Sequence, residues 1–141
     1  MAFSDGTGTY AASRTWTTLG LWLAGRARLI ILLVEDEPLI LMDVELQLQG
    51  AGHEVISVGN ADRAIEVLVG RWIDVILTDI DMPGSMDGLK LAAAVRSRWP
   101  PVRIVVMSGK RRPTHDELPN RARFIEKPLH TADLLKAVGA W

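Results

Sequence analysis

The chain has 141 residues, 48% of them hydrophobic and 23% charged, with a formal net charge of −1 at pH 7; one domain with a single core is expected at this length, and the balanced charge gives no general drive toward nucleic acid or an anionic membrane. Zero cysteines exclude disulfides and thiolate metal sites. The longest strictly apolar run, Leu29 to Val34, is far short of a membrane span, and a cytoplasmic location is the default expectation.

Residues 1–27 read differently from the rest. Met1 to Thr18 is rich in Gly, Ser and Thr and has no apolar period, while Leu19 to Arg28 has the length for one or two helical turns carrying Trp22. A disordered or loosely packed extension is expected there, with one folded domain over 28–141. From Leu29 the pattern becomes regular. Leu29 to Val34 is a buried strand, and Pro38 opens a helix whose apolar face is Leu39, Ile40, Val44, Leu46 and Leu48, ending at Gly50 or Gly52. Glu54 to Val58 is a short strand. Asn60 then caps a helix over 61–71, with Ala64, Ile65, Val67 and Leu68 as its core stripe. Val75 to Thr78 is the third strand, Met82 to Gly88 a loop, and Asp87 the cap of a helix from Leu89 to Arg98 closed off by Pro100 and Pro101. Arg103 to Met107 and Arg123 to Glu126 are strands four and five, and Thr131 to Val138 is the last helix.

Strand followed by helix, repeated along the chain, predicts a doubly wound α/β fold: a five-stranded parallel sheet with helices on both faces. One repeat is abnormal. The stretch 109–123 carries Pro113 and Pro119 and little helical period, so the fourth helix is expected to be short, irregular or absent. No G-x-G-x-x-G or G-x-x-x-x-G-K occurs, which removes the phosphate-loop readings of such a sheet.

Ligands of open α/β sheets sit at the carboxyl ends of the strands. Here strand one ends in Glu35 and Asp36, strand three in Asp79, strand four in Ser108 and strand five in Lys127. Carboxylates about 4 Å apart repel by roughly 4 kcal/mol at an effective dielectric of 20. Such a pocket asks for a hard cation with oxygen ligands, which suits Mg²⁺. The set fits phosphoryl transfer to a carboxylate. Asp79 attacks phosphorus, Asp36 and Asp79 hold the metal with Glu35 acting through a water, Ser108 donates to one phosphoryl oxygen and Lys127 pairs with another.

The segment from about Leu29 to Val138 resembles the receiver domain of bacterial two-component response regulators. The marks are Val34-Glu35-Asp36-Glu37, Thr78-Asp79-Ile80-Asp81-Met82-Pro83, Asp87-Gly88, Met107-Ser108-Gly109 and Phe124-Ile125-Glu126-Lys127-Pro128, all in order. The resemblance implies a flavodoxin-like fold and a phosphoacceptor, Asp79, supplied by a sensor histidine kinase or a histidine phosphotransfer protein. It also implies that the backbone carbonyl of Asp81 completes the Mg²⁺ site and that Ser108 and Phe124 form a switch pair. Because the sequence ends just after the last helix, the expectation is a stand-alone receiver. It would signal by contact with an unknown downstream protein or serve as a phosphate carrier or sink, with no nucleic acid or membrane partner and no enzymatic turnover beyond its own phosphorylation cycle. The alternatives are a small Mg²⁺-dependent phosphatase with an aspartyl-phosphate intermediate, for which Asp81 has the acid/base spacing, and a degenerate receiver that is never phosphorylated.

Two stretches depart from the family pattern. The loop Gly84-Ser85-Met86-Asp87-Gly88 is one residue longer than the common form, and 109–123 is short. The latter carries Lys110, Arg111, Arg112, Arg121 and Arg123, read either as a solvated loop or as a basic segment closing on the site. His53, His115 and His130 show no ligand spacing, and Trp72 and Trp99 are expected to cover core edges.

Overall fold

The structure, a computed structural model, describes residues 27–84 and 86–139. Expectations that fall on residues 1–26, on Ser85 or on the last two residues lie outside the described residues. The elements are β1 (Ile30–Val34), α1 (Pro38–Gly50), β2 (Glu54–Val58), α2 (Ala61–Gly70), β3 (Val75–Asp79), α3 (Gly88–Arg98), β4 (Arg103–Ser108), β5 (Arg123–Glu126) and α4 (Thr131–Gly139). All strand pairs are parallel, in the order β2-β1-β3-β4-β5. This is the flavodoxin-like order. No helix among the described residues is long and apolar enough to cross a membrane.

The period-two alternation of the central strands divides the core in two. Leu32, Val34, Ile76, Ile104 and Val106 face α2 and α3, packing on Ala64, Leu68, Leu91 and Val95. Ile31, Leu33, Leu77, Val105 and Met107 face α1 and α4, packing on Val44, Leu48, Leu134 and Val138. Each fully buried leucine or valine of this kind contributes roughly 1.5–3 kcal/mol relative to an exposed one. Asn60 accepts the amide of Arg63 and Asp87 that of Lys90, each at 2.9 Å, so α2 and α3 start at side-chain caps.

Two expectations change. On α1, Leu39 and Leu46 point to solvent, 76% and 65% exposed, with Met42 beside them. Val44 and Leu48 stand one helical turn apart and set the inner face, which leaves residues two positions away on the opposite side. Trp72 is half in solvent and serves as a hydrogen-bond donor, its indole N–H reaching Asp74 Oδ1 at 2.9 Å. The fourth crossover, where a short, irregular or absent helix is expected, has no helix and runs through turns at 115–117 and 120–121. In its place, Leu118 and Ala122 pack with Phe124 and Trp99 onto the α2–α3 side of the sheet, and Pro113 is buried. Arg96 of α3 anchors the far end of this connector by donating to the Asn120 carbonyl at 2.8 Å. Arg121 then turns the chain into β5 from a left-handed backbone, φ 65°.

Candidate functional site

The topology sets the place of the site. The chain leaves β1 toward β2 on one side and returns to β3 on the other, so a crevice opens at the carboxyl ends of β1 and β3. Glu35 follows β1 directly and is held in line by its amide, which donates to the Val58 carbonyl at 3.1 Å. Asp79 is the last residue of β3, and the next amide, Ile80, donates to Met107 at 3.0 Å. Ser108 ends β4, and the Lys127 amide donates to its carbonyl at 3.0 Å, so the residue after β5 is fixed beside the end of β4.

These positions bring the expected side chains together. Lys127 Nζ lies 3.0 Å from Glu35 Oε2 and 3.2 Å from Asp79 Oδ2. Glu35, Asp36 and Asp79 each offer an oxygen within 4.8 Å of the others, a cluster that can hold a metal ion. Glu35 and Asp79 are buried and Asp36 is at the exposed rim. Burial is the main reason that the Glu35 carboxyl is pushed above its usual range. The Lys127 hydrogen bond opposes that shift and the Asp79 charge adds to it. For Lys127, burial works against the ammonium, but the Glu35 hydrogen bond and the two carboxylate charges outweigh it and raise the group. The cation thus gains from both acids, while Glu35, more deeply dehydrated, gains less than it loses.

Asp81 sits at the rim. Its amide donates to Asp79 Oδ1 at 3.4 Å, and its side chain reaches Ser108 Oγ at 3.2 Å. Phe124 is half-buried two residues before Glu126, the register partner of Ser108, and the Arg112 guanidinium lies 5.3 Å from its ring centre. The basic connector does approach the acids: Lys110 and Arg111 line a cleft with Asp36, Asp81 and Asp87. Arg111 is clamped by Glu117 at 2.9 and 3.1 Å. That pairing holds the Glu117 carboxyl below the usual range.

Sequence reasoning missed two features. One is Gly88, which abuts the Asp79 carbonyl so closely that a Cβ would overlap it and would stand 2.8 Å from Ile80 Cα. The Asp87-Gly88 pair was noted as a motif, and a glycine where two backbones approach is its physical content. The other is the contact of the Asp81 carboxylate with Ser108: the residue pattern offers this side chain only an acid/base place in the phosphatase alternative.

The model of the response regulator receiver domain family matches residues 31–139. Response regulator protein FleR of Pseudomonas aeruginosa is 33% identical over 79 residues, 56% of this chain and 16% of FleR, so the match spans about a sixth of that protein. Response regulator receiver protein CpdR of Brucella abortus is 32% identical over 112 residues, 77% of this chain and 92% of CpdR. A response regulator receiver protein from Sinorhizobium medicae has a crystal structure that superposes with a TM-score of 0.71 at 34% identity, covering 79% of this chain and 91% of that one. With its acids at the β1–β3 crevice and a family match over most of its length, the chain belongs to the response regulator receiver domain family.

Proposed function

We propose that the protein is a phosphoacceptor switch of a two-component phosphorelay, in which Asp79 takes a phosphoryl group from a phosphohistidine on a sensor histidine kinase or a histidine phosphotransfer protein. The observation that carries this reading is the Lys127 ammonium fixed between the carboxylates of Glu35 and Asp79, at 3.0 and 3.2 Å. It is a partly buried cation beside the nucleophile, where negative charge develops on the transferred group. An Asp79 carboxylate oxygen attacks phosphorus. The new P–O bond forms as the P–N bond to the donor imidazole breaks, and the electron pair leaves with the imidazole, which takes up a proton. Lys127 then pairs with a phosphoryl oxygen, Ser108 donates to another, and Phe124 moves with Ser108 as the switch pair.

Three hard oxygen donors within 4.8 Å suit Mg²⁺. Glu35, Asp36, Asp79 and the Asp81 carbonyl would hold it, and when bound it neutralises charge on the phosphoryl oxygens. We assign the receiver to residues 28–141 and 1–27 to an extension preceding it. Output passes to a downstream protein by contact, or the protein carries or drains phosphate. Incubation with Mg²⁺ and phosphoramidate is expected to give an acid-stable, base-labile modification that Asp79→Asn abolishes. Labelling that persists in Asp79→Asn removes Asp79 from the role. Sustained turnover of a phosphate ester would favour a phosphatase using Asp81 as its acid/base.

A further inference from the structure

The Ser108 hydroxyl is fully engaged in the unmodified protein. A serine hydroxyl has one proton to give and two lone pairs. Its oxygen lies 3.2 Å from Asp81 Oδ2. A carboxylate only accepts, so the proton goes to Asp81. The amides of Lys110 and Arg111 donate to the same oxygen from 3.3 and 3.4 Å, which fills the lone pairs. Ser108 is 1% exposed, so bulk water does not compete for these positions.

We propose that the Asp81 carboxylate is a positioning residue that holds Ser108 back from Asp79 and so sets how readily the site accepts a phosphoryl group. The inference rests on the reading of Asp79 as phosphoacceptor. Ser108 has a single proton, and Asp81 and a phosphoryl oxygen on Asp79 compete for it. Donating to the phosphoryl group requires breaking the bond to Asp81. The loss subtracts from the affinity for the phosphoryl group. The same movement takes the acceptor away from the Lys110 and Arg111 amides, so the start of the β4–β5 connector is released together with the hydroxyl. Asp81 is therefore the off-state partner of the switch hydroxyl, a role for its side chain distinct from any metal contact through its carbonyl.

The test is a double-mutant cycle on the full chain: wild type, Asp81→Asn, Ser108→Ala and the double variant. Beryllofluoride, an aspartyl-phosphate mimic, is titrated in the presence of Mg²⁺ and bound fluoride is read by ¹⁹F NMR. Removing the charged acceptor is expected to tighten binding about fivefold where Ser108 is present and by less than about twofold in the Ser108→Ala background, since a hydrogen bond to a charged group is broken only in the first case. A purely electrostatic effect of Asp81 on the anion tightens binding equally in both backgrounds and would overturn the proposal. No tightening at all does the same. Asp81→Ala, run in parallel with melting curves, must reproduce the coupling, which guards against misfolding or a new contact by the asparagine amide. Wild type that fails to bind beryllofluoride overturns the phosphoacceptor reading itself. Binding with equal responses in both backgrounds overturns only the role of Asp81.

Discussion

Replacing Lys127 by methionine keeps an unbranched side chain, one atom shorter, and deletes its charge. The consequence follows from what remains. Glu35 and Asp79 are 1% and 4% exposed, with carboxylate oxygens no more than 4.8 Å apart. At that separation and an effective dielectric of 20, two unit charges repel by about 3.5 kcal/mol. Breaking a buried pair by removing one partner typically costs about 3–5 kcal/mol, because a dehydrated charge is left without compensation. The Glu35 carboxyl, already pushed upward by burial, can take a proton and cap the penalty. The expected loss is therefore about 3 kcal/mol in Mg²⁺-free buffer, or roughly 10 °C in melting temperature for a domain of this size. Urea denaturation followed by circular dichroism, in EDTA and in saturating Mg²⁺, reads it directly. A divalent cation binds the folded form and takes over the neutralising work, so the deficit should shrink with Mg²⁺. Adding Glu35→Gln to the variant should restore a large part of the loss, since the repulsion disappears with either charge. A Lys127→Met protein within about 0.5 kcal/mol of wild type in EDTA, the scatter of an ordinary surface substitution, refutes the reasoning. So does a deficit that Mg²⁺ leaves unchanged.

Two further outcomes follow from the same geometry. Gly88→Ala pushes a methyl group into the Asp79 carbonyl and the Ile80 backbone, neither of which can rotate away; a loss of about 3 kcal/mol, the upper end of the usual cost of core overpacking, is expected, together with reduced phosphoryl incorporation at Asp79, and a wild-type melting curve would contradict it. Glu35 makes its own mark on pH dependence in Mg²⁺-free buffer. Its folded-state pKa is raised, so the folded protein binds the extra proton, and stability from this group is present at acid pH and declines as pH rises through the ordinary glutamate value to the raised one. Glu35→Gln should remove that decline, which chemical denaturation at a series of pH values would show.

Much of this site was legible because it is written in strand ends. The run Val75-Ile76-Leu77-Thr78-Asp79 is buried throughout, and a buried strand that stops at a carboxylate leaves little room for another reading. Glu35, Ser108 and Lys127 follow by the same rule, and β5 carries the predicted boundaries unchanged. The outer face of α1 was not legible, because Asp43, Glu45, Gln47 and Gln49 alternate with apolar residues along Pro38–Gly50 and no helical period singles out a side. The pairing of Ser108 with Asp81 was hidden for a different reason. It spans 27 residues and depends on the register of β3 with β4, in which Asp79 stands opposite Met107. Register is a property of the assembled sheet, and no local pattern in either strand encodes which carboxylate will meet the hydroxyl.

The missing fourth helix gives the connector between β4 and β5 an unusual energetic make-up. A helix there would hold its own backbone hydrogen bonds. This connector keeps two of its own, from the Glu117 amide to Thr114 and from the Ala122 amide to Pro119, each at 3.1 Å, and otherwise relies on side chains: the Lys110 and Arg111 amides on Ser108, the Thr114 amide on Glu117 at 2.9 Å, and the Asn120 carbonyl on Arg96. The Arg111–Glu117 pair is 46% and 38% exposed, and solvent-screened pairs of this kind add little to stability. Firm attachment comes from Leu118 and Ala122, packed on the core under the α2–α3 side toward the far end of the segment, and from the burial of Pro113. The near end, Gly109 to Arg112, is held by the hydroxyl of Ser108 and by Arg112 over Phe124. Segments with few buried apolar contacts open at the least free-energy cost. The stretch tied most directly to Ser108 and Phe124 is thus also the one with the weakest independent hold. A change of partner at Ser108 therefore needs to move only that near end to alter the surface beside β5.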